Sequence, residues 1–151
     1  MKRSLVYIAV LILVILIALF VLGQLSRSGN APGLVNGKLQ PCPDSPNCVC
    51  SEYSSDGKHF IAPIDAGDVT MMTLQQAITE LGGTIETDAE NYVAATFRSP
   101  LFGFVDDLEI RVDSVNDNFQ VRSASRVGHS DLDANRKRVE RLRQWLLEKN
   151  G

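Results

Sequence analysis

An unbroken apolar run from residue 5 to residue 22 constrains this chain more than any other feature. It is rich in Leu, Ile and Val, carries no charge and shows no polar alternation. As a helix it would be about 27 Å long at ~1.5 Å per residue. That is close to the hydrocarbon thickness of a bilayer, about 30 Å. A cleaved signal peptide would want a shorter apolar core and a small-x-small cleavage site. Here the run ends Leu22-Gly23-Gln24-Leu25-Ser26, a poor fit. A lipoprotein signal would need a cysteine directly after the run, and the first is Cys42. The favoured reading is an uncleaved signal anchor over residues 1–23, with a cleaved signal as the alternative. Lys2 and Arg3 precede the run, which favours an N-terminus inside and a body outside. The expected location is the cytoplasmic membrane, single-pass, with the C-terminal domain in the periplasm or at the cell surface.

Beyond the anchor lie all 18 Asp and Glu of the chain and all of its 15 Lys and Arg except Lys2 and Arg3, a formal charge of −5. That argues against nucleic acid as a partner. It also argues against a polybasic lipid-binding surface.

Residues 24–40 contain Gly, Ser, Asn and Pro with little periodicity, which predicts a flexible tether. Residues 41–151 then form one modest domain. Leu74, Ala77, Ile78 and Leu81 predict a helix over 68–81, with Asp68 as cap and Gly82-Gly83 as stop. Leu132, Val139, Leu142 and Leu146 predict a second helix over 131–148, capped by Ser130. Between them the period is two. Val93, Ala95 and Phe97, then Leu108, Ile110 and Val112, then Phe119 and Val121 alternate with polar or small residues. Turns are expected at 99–103 and 114–117, and shorter strands near 60–64 and 84–86. The expected fold class is α+β, an antiparallel β-meander with two helices on one face, preceded by one transmembrane helix.

Cys42, Cys48 and Cys50 sit where the tether meets the domain. Outside the cytoplasm thiols are usually oxidised. Cys42 with Cys48 would close a small loop, stiffened by Pro43 and Pro46 and contributing about 2–2.5 kcal/mol. Cys42 with Cys50 is the other pairing open. A zinc site would want four ligands, and only His59 and His129 could add imidazole, so no metal and no cofactor are expected.

Aligning the apolar faces places Ile110 opposite Val121 and Phe97 opposite Leu108. Glu109 then faces Arg122, and Arg98 faces Asp107, on an uncovered side. This reads as a solvated ion-pair ladder or as a surface where Arg98 and Arg122 bind an anion. The same register turns Asp106 toward the covered side, opposite Ser125. A carboxylate there needs hydrogen bonds or a cation. Ser123, Ser125, Arg126, Asn135 and Arg136 are the candidates. They would form either a polar lock or a pocket at the second helix's N-terminus. His129, Ser130 and Asp131 resemble a catalytic triad in composition only, because adjacent residues rarely converge. No Gly-x-Ser-x-Gly elbow, phosphate loop or His-Glu-x-x-His occurs.

Three blocks together resemble the domain-of-unknown-function family 1499. They are CPDSPNCVCS (42–51), FRSPLFGFVDDLEIRVD (97–113) and VRSASRVGHSDLDANRKRVERLR (121–143). The likeness runs from Leu39 to Trp145. Members look like small bacterial and plastid proteins, often with an N-terminal hydrophobic segment, and no activity comes with the resemblance. This chain has His129 where tyrosine is usual and Cys50 where serine is usual, so the resemblance implies a Cys42–Cys48 disulfide with Cys50 spare. It also implies importance for Arg98, Asp106, Asp107, Arg122, Ser123, Ser125, Arg126, Asp131, Asn135 and Arg136. Two function classes follow. The favoured one is a non-catalytic envelope module that binds a partner protein or an anionic ligand. The alternative is a hydrolase-like enzyme using Asp106 in the Arg/Ser cluster.

Overall fold

In the computed structural model, which describes residues 2–150, the apolar run forms helix α1 (Lys2–Leu25). It is long and apolar enough to cross a membrane. A small hairpin follows, β1 (Leu34–Val35) with β2 (Lys38–Leu39), turning on Asn36 and Gly37, both at positive φ. Next come β3 (Cys48–Cys50), β4 (Ile64–Asp65) and helix α2 (Met71–Glu80). Strands β5 (Thr84–Ala89), β6 (Tyr92–Arg98), β7 (Val105–Asp113) and β8 (Asn118–Ser125) complete the sheet, and α3 (Ala134–Asn150) ends the chain. The sheet order is β3-β8-β7-β6-β5, with β4 also pairing β8, and every pairing is antiparallel. This is the α+β meander that the period-two alternation predicts.

The helices cover one face. Leu74, Ala77 and Ile78 of α2 and Val139, Leu142 and Leu146 of α3 pack on Val93, Ala95, Leu108, Ile110, Phe119 and Val121. The helix starts differ from expectation. Thr70, not Asp68, caps α2, its hydroxyl accepting the Thr73 N–H at 3.1 Å. Helix α3 begins at Ala134, because Leu132 and Asp133 adopt left-handed backbone conformations. That turn sends Leu132 into solvent, 84% exposed, so it is not part of the apolar stripe. Asp131 does the capping expected of Ser130, its carboxylate accepting the Asn135 N–H at 2.8 Å.

The register between β7 and β8 is the one expected, with Ile110 opposite Val121, Glu109 opposite Arg122 and Asp106 opposite Ser125. Between β6 and β7 it is shifted by two. Phe97 faces Asp106, Thr96 faces Asp107, and Arg98 faces Val105. The connection is tighter than the one assumed. Ser99 pairs with Phe104 through backbone and hydroxyl bonds, and Gly103 at φ +70 closes the turn. A shift of two keeps every side chain on its face. The layers are therefore right while the Arg98–Asp107 pair is absent.

The second face of the sheet is not solvated. Residues 26–39, read from sequence as part of a flexible tether, lie along it. Ser26 and Leu39 are almost fully buried. The Ser26 hydroxyl accepts the Val105 N–H, and the Gly33 N–H donates to Glu109, at 3.0 and 2.9 Å. Strand β2 rests on β7 and β8, and Tyr53 and Glu52 clamp the Leu39 backbone. Composition carries no sign of these contacts, because the bonds use backbone groups and a few isolated anchors, which leave no periodic trace. Cys42 and Cys48 form the disulfide, and Cys50 is free and buried.

Leu39→Ala is expected to lower stability by about 2–5 kcal/mol, as for a core leucine. Val35→Ala, four residues earlier and exposed, should stay within about 0.5 kcal/mol. Denaturant melts of the two variants test this, and equal small effects would show that the segment does not pack as described.

Candidate functional site

The candidate residues divide between the two faces of the sheet. On the helix side, Asp106 bonds Arg138, whose other amino group reaches Ser123 Oγ at 2.9 Å and the Asn135 side-chain oxygen. The guanidinium lies 4.6 Å from the centre of the Phe97 ring. Ser123 donates to Asn135 at 2.6 Å, and the Asn135 amide reaches Ser125, Asp131 and the Asn47 backbone carbonyl. This cluster ties β7, β8 and the loop before β3 to the first turn of α3. Arg138 is the cation that sequence reading assigned to Arg126 or Arg136. Its signal was available, since it lies four residues before Leu142 on the buried stripe. The N-terminus of α3, considered as an anion site, already holds the carboxylate of Asp131. Arg136 stands apart, donating to the Phe60 carbonyl.

On the second face, Glu109 is fully buried and bonds Arg122 at 2.9 Å, the Tyr92 hydroxyl at 2.8 Å and the Gly33 N–H. Burial raises the Glu109 carboxyl above its ordinary range, against the lowering effect of Arg122, Tyr92 and Gly33. Burial, followed by the nearby Glu109 charge, also pushes the Tyr92 phenol up. Asp107, expected to face solvent, is 4% exposed and holds Arg126 through two bonds of 2.7 and 2.9 Å. Arg126 also reaches the backbone carbonyls of Ser26 and Arg27. Removing Asp106 or Asp107 would thus leave a partly buried guanidinium unmatched. The contrast expected between the two neighbours is gone, because residues 26–33 cover the Asp107 side.

A cleft of about 500 Å³ lies between that covering segment and strands β5–β7. Arg27, Glu86, Thr96, Arg98, Asp107 and Arg126 are among its polar side chains, with Tyr92 beside them. Glu86 accepts the Thr96 hydroxyl, and Asp107 is taken by Arg126. Arg27 and Arg98 are exposed and have no carboxylate partner among the described residues. Arg122, proposed from sequence as an anion binder with Arg98, is spent on Glu109. Arg27 was missed because it sits in the segment read as tether. His129 is exposed, and His59 is buried against Asp56 and the Ser45 carbonyl.

Arg122→Met would strand the Glu109 charge in the interior, a loss of about 3–5 kcal/mol at neutral pH. The pH dependence follows from the raised carboxyl. A folded-state pKa above the unfolded value, about 4.3, means that the folded form binds the proton more tightly. Without Arg122 the carboxyl rises further, so the variant's deficit should shrink as the pH falls from that higher value to the wild type's raised one. Chemical melts at stepped pH check it, and a deficit that grows on acidification would contradict the assignment.

No curated protein and no solved structure matches the chain. Residues 38–146 match the family model described as "Protein of unknown function (DUF1499)", and the chain belongs to that family.

Proposed function

We propose that this protein is a membrane-anchored, extracytoplasmic binding module without catalytic chemistry of its own, and that the cleft between residues 27–33 and the sheet takes an anionic ligand or an acidic segment of an envelope partner. The pairing pattern in the cleft carries this reading. Arg126 is paired with Asp107, and Glu86 accepts the Thr96 hydroxyl, whereas Arg27 and Arg98 have no bonded carboxylate among the described residues. Guanidinium groups in that state suit carboxylate or phosphate oxygens. The extracytoplasmic placement is supported by Lys2 and Arg3 before α1 and by the Cys42–Cys48 disulfide. A hydrolase built on Asp106 has less support, because its carboxylate is engaged by Arg138 in a closed cluster that also holds Ser123 and Asn135.

The test uses the full chain in lipid nanodiscs and glycerol phosphate as the probe. Amide shifts are expected at Thr96, Arg98 and Gly29. In the double variant Arg27→Gln/Arg98→Gln the affinity should fall at least about tenfold. Its thermal stability should change by no more than about 0.5 kcal/mol, since both side chains are exposed. Unchanged affinity in that variant would overturn the cleft as the site.

A further inference from the structure

The end of α1 is locked to one particular loop. Gly23, the first residue beyond the apolar run, is buried against the backbone of Phe102, where an added Cβ would come within 2.1 Å of the Phe102 carbonyl oxygen. Leu19, one turn earlier on the same side of the helix, is half-buried. One turn later, the Ser26 hydroxyl donates to the Gly23 carbonyl at 2.7 Å and accepts the Val105 N–H at 3.0 Å. The Arg27 guanidinium lies against Gly103. The β6–β7 loop, residues 99–104, is therefore fixed level with the point where the apolar run stops.

That loop reads Ser-Pro-Leu-Phe-Gly-Phe and contains no charge. Leu101 at its tip is 80% exposed. Phe102 and Phe104 are half-buried and meet edge to face at 6.2 Å. Arg98 and Arg27 flank it. A run of 18 residues nearly matches the hydrocarbon thickness, so its end marks the boundary between acyl chains and headgroups. Aromatic and aliphatic side chains at that depth, with cations just outside, suit the interfacial layer.

Taking α1 as a membrane span, we infer that the β6–β7 loop sits in the lipid interface beside it, with Leu101 at the edge of the acyl region and Arg98 and Arg27 at the level of the phosphates. The domain then meets the bilayer at two points and holds one orientation on it. The occupant is lipid, because the loop is continuous with the surface of a helix whose other side chains already require lipid.

Tryptophan replacements in the full chain, in vesicles containing acyl-brominated phosphatidylcholine and phosphatidylglycerol, test this. Emission of the wild type, from Trp145 alone, is the background to subtract. Leu101→Trp is expected to be blue-shifted and quenched by about half, and Phe20→Trp more strongly. Val115→Trp, 91% exposed in the native protein and at the other end of β7, should be unquenched. Leu101 and Val115 project into open space, so both replacements leave the fold intact. Quenching of Phe20→Trp without quenching of Leu101→Trp would overturn the loop contact and leave the span standing. Absence of quenching at both would remove the span and the loop contact together.

Discussion

The carboxylate of Glu109 is the point on which the second face of the sheet depends. It is fully buried and accepts from Arg122, Tyr92 and the backbone N–H of Gly33. An ion in that position is tolerable only with close partners. Two of the partners come from neighbouring strands, and the third comes from the segment that follows α1. The bond to Gly33 thus joins the segment to the sheet and also helps to satisfy the charge beneath it. With residues 26–39 in place, Asp107 and Arg126 are covered as well, and the cleft acquires its outer wall.

The same segment fixes how the domain is joined to the apolar helix α1. A free tether would let the domain tumble beyond α1. Here the helix runs straight into Ser26 and Arg27, whose backbone and side-chain groups are already bonded to β7 and Arg126. The helix end, the β6–β7 loop and the mouth of the cleft become neighbours for that reason. Charge is distributed accordingly. Beneath the segment, Arg122 and Arg126 are matched with Glu109 and Asp107, and Arg27 and Arg98, which have no bonded carboxylate among the described residues, lie at the outer edge.

Much of the helix-side layer was legible in the sequence. Alternation at Leu108, Ile110 and Val112 fixed the facing of β7, and the i, i+3, i+4 spacing of Leu74, Ala77 and Ile78 fixed that of α2. The slip between β6 and β7 was not legible, because a shift of two residues leaves the hydrophobic pattern unchanged and only the turn geometry at Gly103 decides it. Half of the candidate site was hidden for a different reason. Glu109 and Arg122 read as an exposed ladder, since charged residues alternating with apolar ones on a strand normally face water. Nothing in residues 26–39 announces that they cover that ladder. Their contribution is made by backbone N–H groups and by Ser26 and Leu39, which carry no period. The family likeness begins at Leu39 and so leaves out residues 26–38.

Amide hydrogen exchange at Gly33 in the full chain, reconstituted with lipid, tests the central claim most directly. Its N–H donates to a buried carboxylate, so it should be protected to nearly the level of the β7 amides and lose that protection only with opening of the domain. Exchange at the rate of an unstructured peptide would contradict the account, returning residues 26–39 to the status of a tether and Glu109 to solvent.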